Sequence, residues 1–127
     1  MTVTLNHTIV HCEDRDATAA FYADLLGVET PTAYGPFLVL ELANQVSLDF
    51  LQTGPGVHPQ HYAFLVSEDE FAGIFGRIQE RGLEYWADPF HQQPGRTNDH
   101  DGGRGVYWED PNGHNLEIIT RPYGSGG

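Results

Sequence analysis

Leu5-Asn6-His7-Thr8-Ile9-Val10 and Pro59-Gln60-His61-Tyr62-Ala63-Phe64 open two copies of one sequence frame. The first runs through Glu13-Asp14 into an apolar-periodic segment, the second through Ser67-Glu68 into another. His7 to Phe21 is fourteen positions, as is His61 to Phe75, and Gly27 and Gly82 then end the segments at twenty and twenty-one. Each copy closes on a strand-like run with an acid in its middle, Val46-Ser47-Leu48-Asp49-Phe50 and His114-Asn115-Leu116-Glu117-Ile118. A half-domain of about sixty residues buries too little surface to stand comfortably alone, so the two halves are expected to share one core. The expected fold class is α+β, with two tandem modules related by a pseudo-twofold, each a strand, a helix and three strands. A single domain would then hold a first module of residues 1–53, a linker over 54–58 and a second module of 59–123.

The copies differ in length. His7 to Asp49 is 42 positions and His61 to Glu117 is 56, so the second copy carries fourteen extra residues. The polar, glycine-rich stretch His91 to Arg104 accommodates them.

Composition bounds the rest. A chain of 127 residues that is 39% hydrophobic and 12% aromatic builds a real core. Eighteen acidic against six basic residues give a formal charge of -12. That field repels phosphate backbones and anionic lipid, so neither nucleic acid nor membrane is an expected partner. The simplest role of the charge is solubility. The lone Cys12 cannot form an internal disulfide and has no evident activating partner, so it reads as a packing residue. No signal-peptide pattern opens the chain, and the expected location is the cytoplasm.

Residues 4–12 read as a strand with Leu5, His7, Ile9 and His11 on one face. Asp14 is placed to cap a helix with a stripe of Ala17, Ala20, Phe21, Leu25 and Val28, stopped by Gly27. Phe37 to Leu42 and Val46 to Leu51 form a hairpin around Ala43-Asn44-Gln45. Thr53-Gly54-Pro55-Gly56 is the linker. A strand from His61 to Val66 precedes a helix with a Ser67/Glu70 capping box and a stripe of Phe71, Ile74, Phe75 and Ile78. Glu84 to Ala87, Gly105 to Glu109 and His114 to Thr120 are the remaining expected strands, the last two joined by Asp110-Pro111-Asn112-Gly113. The glycine-rich tail after Pro122 is expected to fray.

The first and last strands of a module carry its histidine and its acid, so both can point from neighbouring strands into one concavity. His7, His61 and Glu117 are the expected metal ligands. Two imidazoles and one carboxylate with open positions suit iron and related divalent ions that act on a bound substrate. Asp49 matches Glu117 in position but is one methylene shorter. It has three readings: a fourth ligand, a ligand through water, or a partner of a ligating imidazole.

These residues resemble the vicinal oxygen chelate superfamily, which includes glyoxalases, extradiol dioxygenases, fosfomycin-modifying enzymes and bleomycin-resistance proteins. The resemblance runs from Leu5-Asn6-His7 through Leu25-Leu26-Gly27 to Asp110-Pro111-Asn112-Gly113-His114-Asn115-Leu116-Glu117. It implies paired βαβββ modules, a cup-shaped and incompletely closed mixed sheet with helices outside, and a divalent ion (iron, manganese, nickel or zinc) held at His7, His61 and Glu117. In glyoxalase-like members a fourth ligand, usually Glu or Gln, stands where this chain has Asp49. Fosfomycin-modifying members are expected to carry a more basic anion-binding site. The family commonly forms homodimers, some with modules exchanged between chains.

The metal would be a Lewis acid gripping two neighbouring oxygens of a small-molecule substrate. Glu117, and His100 as a general acid or base, are the candidate catalytic groups. His11, Trp86, Tyr107 and Trp108 are candidate pocket residues, favouring a flat ligand if the cup is aromatic. The insertion is placed to cover the cup mouth and set specificity. The leading expectation is a metal-dependent glyoxalase- or dioxygenase-like enzyme: a lyase, isomerase, dioxygenase or thiol transferase. The alternative is a metal-independent protein of the bleomycin-resistance type that sequesters an antibiotic. A purely structural role for the histidines and acids is weaker, because burying them without partners is costly.

Overall fold

The computed structural model describes residues 2–126. The chain divides into two compact units, one ending at His58 and the other beginning at Pro59. Shortly before the boundary, Gly54 and Gly56 take the left-handed conformation (φ 81° and 85°) that glycine adopts freely.

The first unit contains β1 (His7–Cys12), α1 (Arg15–Leu26), β2 (Thr32–Tyr34), β3 (Phe37–Glu41) and β4 (Ser47–Gln52). They form one open mixed sheet in the order β1-β4-β3-β2. β1 runs parallel to β4, and the other pairs are antiparallel. Along β1, Val10 and Cys12 are buried while His7, Ile9 and His11 are exposed, as the period of two requires. The Cys12 thiol donates to Leu51 O at 3.3 Å.

Asp14 caps α1 by accepting from Ala17 N at 3.1 Å, and Gly27 closes it at φ 69°. The buried stripe is Thr18, Ala19, Tyr22, Ala23 and Leu25, which shares only Leu25 with the expected one. Small residues surround this helix, so periodicity defines its inner face weakly. The Tyr22 ring decides it, meeting Phe50 edge-on at 4.9 Å.

The second unit contains β5 (His61–Leu65), α2 (Glu68–Glu80), β6 (Gly105–Glu109) and β7 (Asn115–Ile119), with a single 3-10 turn at His100–Gly102. Its sheet order is β5-β7-β6, again with first and last strands parallel. α2 buries Phe71, Ile74 and Ile78, leaving Phe75 half-buried edge-on against Tyr85. The expected strand over 84–87 is reduced to isolated bridges of Trp86 with Tyr107 and Pro94. Its backbone is diverted into the following loop: Gly95 N donates to Tyr85 O, and Ala87 N to Gln93 O. Asp88 fixes that loop by accepting from Gln92 N and Gln93 N.

Both modules share a register. His7 pairs with Ser47 and Ile9 with Asp49; His61 pairs with Asn115 and Ala63 with Glu117. In the second unit a buried histidine secures this. His114 is fully buried, and its Nδ1 accepts from Gln60 N at 2.9 Å, seating the start of β5 against β7. Asp110 shapes the preceding turn by accepting from Asn112 N and His114 N, each at 2.8 Å. His114→Ala strands the Gln60 N–H and is expected to cost about 1–3 kcal/mol, read by urea unfolding. An unchanged midpoint would remove His114 from this role.

The capping box at α2 is complete, with Ser67 Oγ accepting from Glu70 N and Glu70 Oε1 accepting from Ser67 N. The Ser67 backbone bond holds the Glu70 carboxyl below its ordinary range. A depressed carboxyl stabilises the fold above its unfolded pKa, and that contribution is lost as pH falls through the folded value. Ser67→Ala is expected to cost about 0.5–2 kcal/mol at neutral pH. Glu70→Gln should show a smaller deficit in urea melts that shrinks with acidification; a pH-independent deficit contradicts the linkage.

Candidate metal centre

The face of the second sheet that carries His61, Ala63 and Leu65 also carries Glu117 and Tyr107, which oppose each other across β6 and β7. His61 Nε2 lies 3.1 Å from Glu117 Oε1. The carboxylate is almost wholly buried at 1% exposure, whereas the imidazole is 46% exposed. A buried carboxylate costs several kcal/mol unless compensated by partners.

Hydrogen bonding assigns the atoms. His61 Nδ1 lies 2.9 Å from the backbone oxygen of Asn115, which can only accept, so Nδ1 carries the proton. In neutral imidazole Nε2 is then a lone pair facing a carboxylate oxygen. Two acceptors so placed require a proton or a cation between them. Ligating histidines commonly have this arrangement, with the far nitrogen tied to a carbonyl and the near one free. In the first unit His7 Nδ1 is likewise engaged, 2.7 Å from Asn6 Oδ1. Asp49 is half-buried on the matching position of β4, and its Oδ1 accepts from Ser47 Oγ at 2.8 Å. An imidazole and a carboxylate are donors of the kind a divalent ion takes, and among the described residues no three such side chains are gathered into one group. His61 and Glu117 are the pair the second unit brings together.

Two phenols complete the surroundings of Glu117. Tyr123 donates to Glu117 Oε2, and the Tyr107 and Tyr123 hydroxyls lie 2.8 Å apart. The Tyr107 ring stacks on His61 at 5.9 Å between centroids. Burial, then the bonds to Tyr123 and Glu117, pushes the Tyr107 phenol well above its ordinary value. Burial and the Glu117 bond raise Tyr123 as well. Both therefore remain hydrogen-bond donors throughout the neutral range.

The other expected site residues are spread more widely. His11 shares the exposed face of β1 with His7. Trp86 stacks flat on His91, 3.7 Å between centroids, beside an open cavity of about 320 Å³ lined also by Gly82, Leu83, Glu84 and Glu109. His100 opens the 3-10 turn, its ring edge-on to Tyr123 at 6.5 Å. Trp108 does not belong with the pocket candidates. It pairs with Leu116, one residue out of phase with Glu117, and is fully buried on the opposite face. Its indole N–H finds no partner among the described residues. Adjacent strand residues point to opposite sides, so Tyr107 and Trp108 cannot both face the carboxylate.

Three supporting residues escaped the sequence reading. Asn115 offers its carbonyl to His61, while its side chain meets His91 Nε2 at 3.0 Å and donates to Pro89 O. His91 thereby ties the insertion to β7, its backbone in the left-handed region at φ 58°. Tyr123 comes from the glycine-rich tail, which is hydrogen-bonded to Asp101 at Gly124 N and Gly126 N instead of fraying. The only sequence signal for Asn115 was its place two residues before Glu117, mirroring Ser47 before Asp49.

The chain is 64% identical to a solved structure named Oxidase ChaP-H2, with both chains covered completely and a TM-score of 0.97. It is 63% identical to Oxidase ChaP-H1 over 97% of this chain and 99% of that one, with a TM-score of 0.95. It is 29% identical to Metallothiol transferase FosB of Lysinibacillus sphaericus, over 94% of this chain and 84% of that protein. No helix among the described residues is long and apolar enough to cross a membrane. Residues 4–118 match the Glyoxalase/Bleomycin resistance protein/Dioxygenase superfamily, and the chain belongs to that family.

Proposed function

We propose that this chain is a metal-dependent oxidase or dioxygenase acting on a small substrate that presents two neighbouring oxygens. His7, His61 and Glu117 are the proposed donors to a divalent ion, with Asp49 as a fourth. The observation that carries the reading is His61 Nε2 held 3.1 Å from the buried Glu117 carboxylate, with Nδ1 committed to the Asn115 carbonyl. Full-length identity of 64% to a protein named an oxidase favours oxidation over lyase, isomerase or thiol-transfer chemistry.

A divalent ion at these donors would supply Lewis acidity and hold the two substrate oxygens. The chain's own groups orient and protect. Asn115 fixes the His61 ring, and Tyr107 lies along one face of that ring with its hydroxyl toward Tyr123. A phenol kept protonated will not serve as a base at neutral pH, and the Tyr107 and Tyr123 protons are engaged along the chain that ends on Glu117. His100 is the proposed proton-transfer group, and His11 and Trp86 are proposed substrate contacts. The expected working state is a cytoplasmic homodimer.

Protein purified without a histidine tag and reconstituted anaerobically is expected to bind one iron, manganese, nickel or zinc ion per chain. His61→Ala and Glu117→Gln should each abolish stoichiometric binding, and the loaded wild type should consume oxygen with a vicinal aromatic diol. Absence of stoichiometric metal in the wild type removes the enzyme reading. Micromolar antibiotic binding that survives both substitutions favours sequestration instead.

A further inference from the structure

We infer that Tyr123 is a positioning residue for the Glu117 carboxylate, and that Asp101 holds it in place through the C-terminal strap. The inference rests on the metal reading above. Glu117 has two oxygens with different tasks: Oε1 faces His61, and Oε2 accepts from Tyr123. The terminal torsion of a glutamate is broad, so nothing intrinsic to the side chain fixes the plane in which its two oxygens lie. The Tyr123 hydroxyl fixes that plane by donating to the oxygen turned away from His61. Tyr107 backs it through the phenol-to-phenol contact of 2.8 Å.

Tyr123 does not reach Glu117 by packing, since 56% of the residue is exposed. The strap carries it there. After β7 the chain turns at Pro122, whose carbonyl accepts from Ser125 N at 3.1 Å and Ser125 Oγ at 2.6 Å. Arg121 donates to Ser125 O at 3.1 Å. Asp101 Oδ2 accepts from Gly124 N at 3.0 Å, and its Oδ1 from Gly126 N at 3.2 Å, so one carboxylate brackets the two residues that follow Tyr123 and Ser125. Asp101 sits in the left-handed region at φ 57°, a conformation aspartate tolerates better than most residues. The approach admits only glycine: a Cβ at Gly126 would collide with the Asp101 backbone, and one at Gly103 with Thr120 and Arg121. The glycines of the tail and turn thus serve close contact, and the far end of the insertion anchors the residue that orients Glu117.

The test uses cobalt(II) as probe, with affinity from anaerobic chelator competition, the visible spectrum of the cobalt protein, and amide exchange in metal-free protein. Tyr123→Phe keeps the ring and removes one oxygen. It is expected to weaken cobalt binding by about 10–100-fold and to alter the cobalt spectrum. Asp101→Ala is expected to accelerate exchange at Gly124 and Gly126 and to weaken cobalt binding in the same direction. Tyr123→Phe that binds cobalt within twofold of wild type with an identical spectrum overturns the inference, as does Asp101→Ala with both amides still protected. Wild type that takes up no cobalt overturns the metal reading itself, and this inference with it.

Discussion

Parallel pairing of each module's first strand with its last is the constraint on which the other features depend. It sets residue against residue so that the histidine at the head of one strand stands two positions before the acid of its neighbour, in both units. A slip of one residue would turn every side chain to the other face, placing Glu117 among Leu116, Ile118 and Trp108 and exposing those apolar groups. Burial of that apolar face therefore enforces the geometry of the polar one. His114 adds a specific lock, because its ring accepts from the residue immediately before His61.

The two modules treat their acids differently despite the common register. Asp49 is half-buried and bonded to the hydroxyl of Ser47 on its own strand. Glu117 is sealed off and held by groups from β5 and the tail. The first unit's acid thus has a short, local arrangement, and the second unit's is buried and held from two elements.

The repeated frame made the fold and the pair His61 and Glu117 legible before any coordinates, because strand periodicity and spacing are one-dimensional properties. What depended on three dimensions was not legible. The inner face of α1 kept Leu25 but took Tyr22 in place of Phe21, since alanines leave the choice to the packing of Tyr22 on Phe50. The strand expected over 84–87 dissolved into the loop shaped by Asp88. Trp108 was grouped with Tyr107 although neighbours on a strand must face apart. Tyr123 lay in a run of glycine and serine that carries no pattern, and its role follows only from the bonds to Asp101 and Glu117.

The longer second copy also bears on how the chain tolerates elaboration. β7 must find β5 across a span of 56 residues, where β4 finds β1 across 42. Chain-closure entropy grows only as the logarithm of length, so fourteen more residues raise the cost of bringing those strands together by about 0.3 kcal/mol. A module closed by its outermost strands can therefore acquire a long excursion between them with almost no penalty at the closure step. The excursion here returns two side chains, His91 and Asp101, to the neighbourhood of the strand it delays. Such a scaffold lets new loops be tried against a fixed centre without renegotiating the fold.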